Sequence, residues 1–290
     1  MGSLREVKNR INSIKSTRKI TSAMRLVASS KLARVEDVIE NMVPYQKKLS
    51  GILGKLLSSE MTVESPFIIQ RKVKRIAVVV MSSNTSLCGA FNNNILKATT
   101  QILDRYKDLG QDSILLYPIG KKVEEFVLKQ GYTIQGSYQN LIEKPSYKGI
   151  RDLSNELKNK FLANEVDQIF LIYHHFKSIA NQELMEEIYL PLDINKFRLD
   201  DDINKVNNDY IVEPSEDELI ADLLPKVLSQ KLFTALVDSS ASEHAARSMA
   251  MQIATDNANE LIQDLTLQYN KSRQQAITNE LLDIIGGSMR

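Results

Sequence analysis

Apolar residues recur at steps of three and four between Leu4 and Leu56. Leu4, Val7, Ile11 and Ile14 open the series, and Ala28, Leu32, Val35, Ile39, Met42, Leu49, Leu53 and Leu56 continue it in one register. Sustained spacing of this kind marks a left-handed coiled coil, so residues 1–58 are predicted as one long coiled-coil helix. At ~1.5 Å per residue such a helix is ~80 Å long and needs a partner along its length. The register fails at Arg18, Thr21 and Arg25, where the apolar positions move to Ile20, Met24 and Val27. Two readings of that break stand side by side. Either the helix changes the face it gives its partner helix, or it turns a face outward to another protein. Pro44 removes one backbone donor. Because the register resumes at Leu49, a bend is expected there rather than a stop.

The other end carries a different stripe. Ser215 followed by Glu218 reads as an N-cap closed by a capping box, and Pro225 is expected to end or bend that first segment. From Lys226 to Ile285 there is neither glycine nor proline. Leu228, Leu232 and Ala235 lead into Ala241, Ala245, Ala246, Ala250, Ala254 and Ala258, with Met249 and Ile253 between them. Small residues of this kind let two helices approach closely. The last turns are apolar again at Ile277, Leu281, Leu282, Ile284 and Ile285. Residues 213–290 are predicted as the second coiled-coil helix, antiparallel to 1–58.

Between the two ends the period changes. Residues 73–82 form a continuous β-branched run, the pattern of a strand buried on both faces. Helix is predicted over 92–109, 121–130 and 150–163, and strand over 113–119, 132–138 and 166–175. Residues 186–199 are read as an added edge strand, with Pro191 tolerable only at an edge. Alternating strand and helix predict a parallel sheet covered on both faces. The fold class is therefore α/β plus a long antiparallel α-helical coiled coil. A central Rossmann-like parallel-sheet domain over 72–200 is flanked by the terminal helices. Residues 200–222, with nine acids and one Lys, read as a solvated linker.

Composition narrows the function classes. A formal net charge of +1 gives no bulk argument for a nucleic-acid or membrane partner. The single cysteine, Cys88, excludes an internal disulfide and fits a reducing compartment. No apolar run approaches the ~18 residues needed to span a bilayer. Residues 1–20 are basic but lack an apolar core and a cleavage site, so they are not read as a signal peptide.

Candidate chemistry is sparse. The strand-to-helix loop at 82–92 occupies the position where α/β folds bind phosphates. It lacks G-x-G-x-x-G and G-x-x-x-x-G-K-S/T, and the second strand ends at Ile119-Gly120-Lys121 without an acid for a ribose. It reads as a packing turn, and Cys88 as a buried structural residue. His174, His175 and His244 lack a matching ligand cluster, and no carboxylate pair points to acid–base work. The strongest chemical signal is charge: residues 1–34 hold nine Lys or Arg and one acid, Glu6. Such a stripe is a solvated face, a nucleic-acid surface or a surface for an acidic protein. A basic coiled-coil nucleic-acid-binding or scaffold protein is the alternative reading.

Four blocks carry a resemblance. Residues 10–28 (RINSIKSTRKITSAMRLVA), 86–94 (SLCGAFNNN), 242–260 (SEHAARSMAMQIATDNANE) and 277–287 (ITNELLDIIGG) resemble, in order, blocks of the gamma subunit of F-type ATP synthases of bacterial type. The resemblance covers essentially the whole chain. It implies an antiparallel shaft turning inside a ring of three alpha and three beta subunits, with the central domain beside the epsilon subunit and the membrane c-ring. It further implies a peripheral place on the cytoplasmic face of the bacterial inner membrane, no nucleic-acid partner, no membrane span, and no catalytic, cofactor or metal site in this chain. Met24 and Arg25 match the stretch facing the beta subunit's acidic lever loop. Arg247, expected to be exposed, and Gln274, Thr278 and Glu280 match polar contacts to the ring. Leu281, Leu282 and Ile285, with Ile284, match the tip that turns in the ring's sleeve. The family pattern has Arg-Met where this chain has Arg247-Ser248-Met249, a small departure. Cys88 alone argues against the redox-regulated chloroplast form, which carries a cysteine pair.

Overall fold

The computed structural model describes residues 4–58, 65–193, 212–213 and 215–288. Helix α1 covers Leu4–Ser58 and α6 covers Glu216–Ser288. Between them follow β1 (Ile76–Met81), α2 (Phe91–Arg105), two short 3-10 turns, β2 (Ile114–Ile119), α3 (Lys121–Lys129), α4 (Gln139–Glu143), α5 (Tyr147–Leu162), β3 (Gln168–Ser178) and β4 (Asn181–Leu190). By its contacts the chain divides into two units, Met1–Ser30 with Arg247–Arg290, and Lys31–Ala246.

Both prolines lie inside their helices. Beyond Pro44, α1 continues with Leu49, Leu53 and Leu56 buried. Ser215 caps α6 as expected, accepting from the Glu218 amide at 3.3 Å. Pro225 does not end that segment; the helix continues to Ser288. The Pro225 carbonyl accepts from the Ser229 hydroxyl at 2.9 Å and from the Lys158 ammonium at 3.1 Å.

The sheet has the order β2-β1-β3-β4. β1 pairs in parallel with β2 and β3, but β4 is antiparallel to β3, so the sheet is mixed rather than wholly parallel. The reason is local. β3 ends in a tight turn, where Ser178 Oγ accepts from the Asn181 amide at 3.1 Å. A connection this short joins only antiparallel neighbours. The edge strand therefore begins at Asn181 rather than 186 and stops before Pro191; residues 194–199 of the expected strand lie outside the described residues. The expected strand at 132–138 reduces to one bridge, Leu116 with Ile134, supported by the Gln135 amide donating to Leu116 O at 2.9 Å. The short α4 that follows, and the start of α5 at Tyr147 rather than 150, were not anticipated.

All six residues of β1 are buried, which is why its sequence does not alternate. One face, Ile76, Val78 and Val80, packs with Ile95 and Ile102 of α2 and Val123 and Val127 of α3. The other, Ala77, Val79 and Met81, shares a core with Leu153, Leu157 and Phe161 of α5, Leu53 of α1, and Leu224, Leu228 and Leu232 of α6. Within Lys31–Ala246 the sheet thus separates two cores, one beneath α2 and α3 and one shared with α5 and the adjoining segments of α1 and α6.

Candidate interaction surface

In the unit made of Met1–Ser30 and Arg247–Arg290, α1 and α6 lie antiparallel. Arg18 Nη1 donates to Asn259 Oδ1 at 3.1 Å, the Thr21 and Thr255 hydroxyls are 2.8 Å apart, Arg25 Nη1 donates to Gln252 Oε1, and the Ser29 and Ser248 hydroxyls are 2.9 Å apart. Each step back along α1 is matched by a step forward along α6, so one register holds throughout. Apolar contacts flank this ladder: Ile11, Ala28, Met251, Ala258 and Leu265 are buried.

The seam does not shift at Arg18–Arg25. Thr21 keeps its place at 8% exposed, while Ile20 and Val27, expected to replace it, are 60% and 58% exposed. The polar residues occupy the seam because α6 supplies a hydrogen-bonding partner opposite each one. The apolar residues are left facing outward, joined by Leu26. Met24 and Arg25 are half-buried. A shallow cleft of about 520 Å³ lies alongside, lined by Arg18, Lys19, Ser22, Ala23, Leu26, Thr255 and Asn259.

Arg247 is not exposed as expected: only 9% of it is accessible. It sits one turn before Met251, on the buried stripe that continues through Ala258 and Leu265. At the far end, the register carried back to Leu4 reaches Arg273 of α6. From Gln274 onward α6 has no described α1 residue opposite it. Gln274, Thr278, Leu281, Leu282 and Ile285 fall at three- and four-residue steps and so share one broad face, with Glu280 beside them. The Thr278 hydroxyl donates back to Gln274 O at 2.9 Å. Leu281, Leu282, Ile284 and Ile285 are between 54% and 67% exposed. Large apolar side chains gathered on an uncovered helix face mark an interaction site.

The α/β loop offers no comparable site. The amides at the start of α3 already donate within the protein: Lys121 N to Asn84 Oδ1 at 2.9 Å, Lys122 N to Ser83 O at 3.1 Å and Val123 N to Ser82 Oγ at 3.0 Å. Gly120, at φ 104°, makes this possible, because a Cβ there would stand 2.1 Å from Ser82 O. Cys88 is buried and accepts from Asn92 Nδ2 at 3.1 Å. His174 stacks on Phe91 at 4.5 Å, and burial pushes its pKa down to about 4. His175 Nδ1 meets Asp238 Oδ2 at 2.6 Å, and burial raises the pKa of that carboxyl. Among the described residues no group of His, Cys, Asp and Glu could hold a metal, and no helix is long and apolar enough to cross a membrane.

Comparison with known proteins agrees with this arrangement. The family profile described as ATP synthase matches residues 3–289. A protein of Bacteroides fragilis named ATP synthase gamma chain is 62% identical, with 100% of each chain covered. The chain belongs to the ATP synthase gamma chain family. A gamma chain of Flavobacterium johnsoniae is 40% identical over 99% of this chain and 98% of its own. Among solved structures, the Euglena gracilis mitochondrial ATP synthase (OSCP/F1/c-ring) contains a chain of TM-score 0.66 and 17% identity, covering 99% of this chain and 93% of that one. The central stalk/c-ring of the Tetrahymena thermophila enzyme gives a TM-score of 0.56 at 22% identity, over 81% and 99% of the two chains. These two likenesses are of fold alone. For this gamma chain family member, sequence reasoning missed Gln252, Thr255 and Asn259, the partners that hold the seam. The signal is the trio Arg18, Thr21 and Arg25, polar residues spaced three and four apart at seam positions.

Proposed function

We propose that this chain is the central rotor shaft of an F-type ATP synthase. It couples ion-driven rotation of the c-ring to the conformational cycle of the catalytic beta subunits. The observation that carries the reading is the identity of 62% over the whole of both chains to a relative named ATP synthase gamma chain. Residues 1–58 and 213–290 serve as the paired shaft helices and 72–200 as the α/β domain.

The contact set we propose for the alpha/beta ring is Met24, Arg25, Gln274, Thr278, Glu280, Leu281, Leu282 and Ile285. Arg247 acts from within the seam. Ile20, Leu26 and Val27 of α1 are exposed near Met24, and Met249 and Ile253 of α6 are exposed at the same level of the shaft. A rotor needs a surface that differs around its axis, since an axially symmetric shaft would show every beta subunit the same surface. Affinity at each beta site then follows shaft angle through differential contacts. Exposed polar pairs worth about 0–1 kcal/mol are weak enough to form and break once per turn. The α/β domain sits with the epsilon subunit and the c-ring, peripheral to the cytoplasmic face of the membrane. The chain itself turns over no ATP.

Purification of the tagged chain from its source membrane tests the reading. Alpha and beta subunits should co-purify at three of each per chain, and the free chain should hydrolyse no ATP. Recovery of the chain without them would overturn it.

A further inference from the structure

Lys158 is 6% exposed on the inner face of α5, and its hydrogen bonds go to neutral groups: Pro225 O at 3.1 Å and Ser229 Oγ at 3.2 Å. Among the described residues it forms no ion pair. An ammonium only donates and a carbonyl only accepts, and together they fix the direction of the protons between them. Ser229 gives its one hydroxyl proton to Pro225 O at 2.9 Å, so its oxygen accepts from Lys158 and, at 3.0 Å, from Ser154. Ser154 has then given its own proton away, and the Tyr189 hydroxyl donates to it at 2.9 Å. A one-way chain runs from β4 through α5 to α6. Ser154, Tyr189 and Ser229 are all buried, and each of their hydroxyls has a hydrogen-bond partner.

The surroundings are apolar. Leu153, Leu157 and Phe161 of α5 share one core with Leu224, Val227, Leu228 and Leu232 of α6. Apolar contact is non-directional; it holds two elements together but resists turning or sliding only weakly. A satisfied polar network adds direction and rigidity. Desolvation of the ammonium opposes the network, lowering the Lys158 pKa, and an apolar side chain of similar volume would fill the same space. Stability alone therefore does not account for this lysine.

We propose that Lys158 is a positioning residue that keys α6 to the α/β unit, fixing the angle of the helix about its own axis so that torque passes between sheet and shaft. The torque role rests on the rotor reading above; the keying does not. Spin labels at the exposed positions Lys129 and Ala221, each changed to Cys, read the setting in the free full-length chain, with buried Cys88 left unlabelled. Lys158→Met should melt no lower than the parent yet broaden the label-to-label distance distribution. In the reconstituted enzyme it should lower ions pumped per ATP hydrolysed by roughly threefold or more. Leu157→Ala, a purely apolar loss next door, should lower the melting temperature and leave coupling unchanged. If Lys158→Met does not fold, the double variant Ser154→Ala/Ser229→Ala breaks the same chain and is judged by the same readouts. An unchanged distance distribution overturns the key. A broadened distribution with parental coupling overturns its role in torque. If the parent chain fails to assemble with an alpha/beta ring, the rotor reading falls with the torque role, and the distances still judge the key.

Discussion

Replacing Arg247 by Ala tests whether this residue belongs to the seam. Were it exposed, the change would leave the free chain's stability untouched. At 9% exposed and with an interaction partner, it should not. Truncation removes two buried methylenes, about 1.5 kcal/mol at ~0.8 kcal/mol each. It also removes charged-group hydrogen bonding worth about 1.5–3 kcal/mol. Against this, about 2 kcal/mol of rotamer entropy is released. The net loss is about 1–2.5 kcal/mol. For a chain of this size that lowers the melting temperature by about 2–4 °C, readable by circular dichroism at 222 nm on the free chain. Arg247→Met retains the stem and drops the charge, so it should fall between parent and Ala variant. A melting curve for Arg247→Ala that overlays the parent's would refute the reasoning and return Arg247 to a pure partner contact.

Leu282→Ser removes as much apolar surface, but from the uncovered end of α6, so the free chain's melting temperature should not move; a fall like that of Arg247→Ala would mean something covers this end. Gly120→Ala should cost about 3 kcal/mol or more, since a non-glycine residue at φ 104° costs about 1–3 kcal/mol and its Cβ would also strike Ser82 O. Gly131→Ala, also at positive φ but with open space around it, should cost about 1–2 kcal/mol by urea titration, and equal losses would discount the clash. Stability should fall with pH between about 6.5 and 4, because the unfolded state takes up the proton that buried His174 refuses. Urea unfolding at pH 5 should give about 2 kcal/mol less than at pH 7.5 from this residue, and His174→Phe, which keeps the stack on Phe91, should remove that increment; an identical pH profile would exclude His174 as its source.

Some features were legible because their cause is local. The steps from Leu4 to Leu56 and the glycine-free run before Ile285 set α1 and α6. The β-branched run at Ile76–Met81 set a strand buried on both faces, and Ser215 with Glu218 set a helix start. The loop at 82–92 lacks the glycine and lysine spacing of a phosphate loop, and its Ser82, Ser83 and Asn84 hold the start of α3. Each of these follows from backbone propensity and side-chain period within a few residues.

The chain alone determined its two long helices, the buried strands β1, β2 and β3 and, through four ordered blocks, its family. Tertiary structure decided which polar residues lie inside. Thr21 looks like a break in a heptad until Thr255, 234 positions away, brings a hydroxyl to 2.8 Å. Arg247 looks like an outward contact until the stripe through Met251 and Ala258 carries it into the seam. Lys158 falls on the apolar face of α5 between Leu157 and Phe161, and only Pro225 and Ser229 of α6 make that place tenable. β4 turned antiparallel because a tight turn closed after Ser178. The physical reason is common to all four. A polar group's cost of burial depends on whether a partner stands opposite it, and a strand's direction on how the chain returns. Both are set by residues that periodicity along a single segment does not reach.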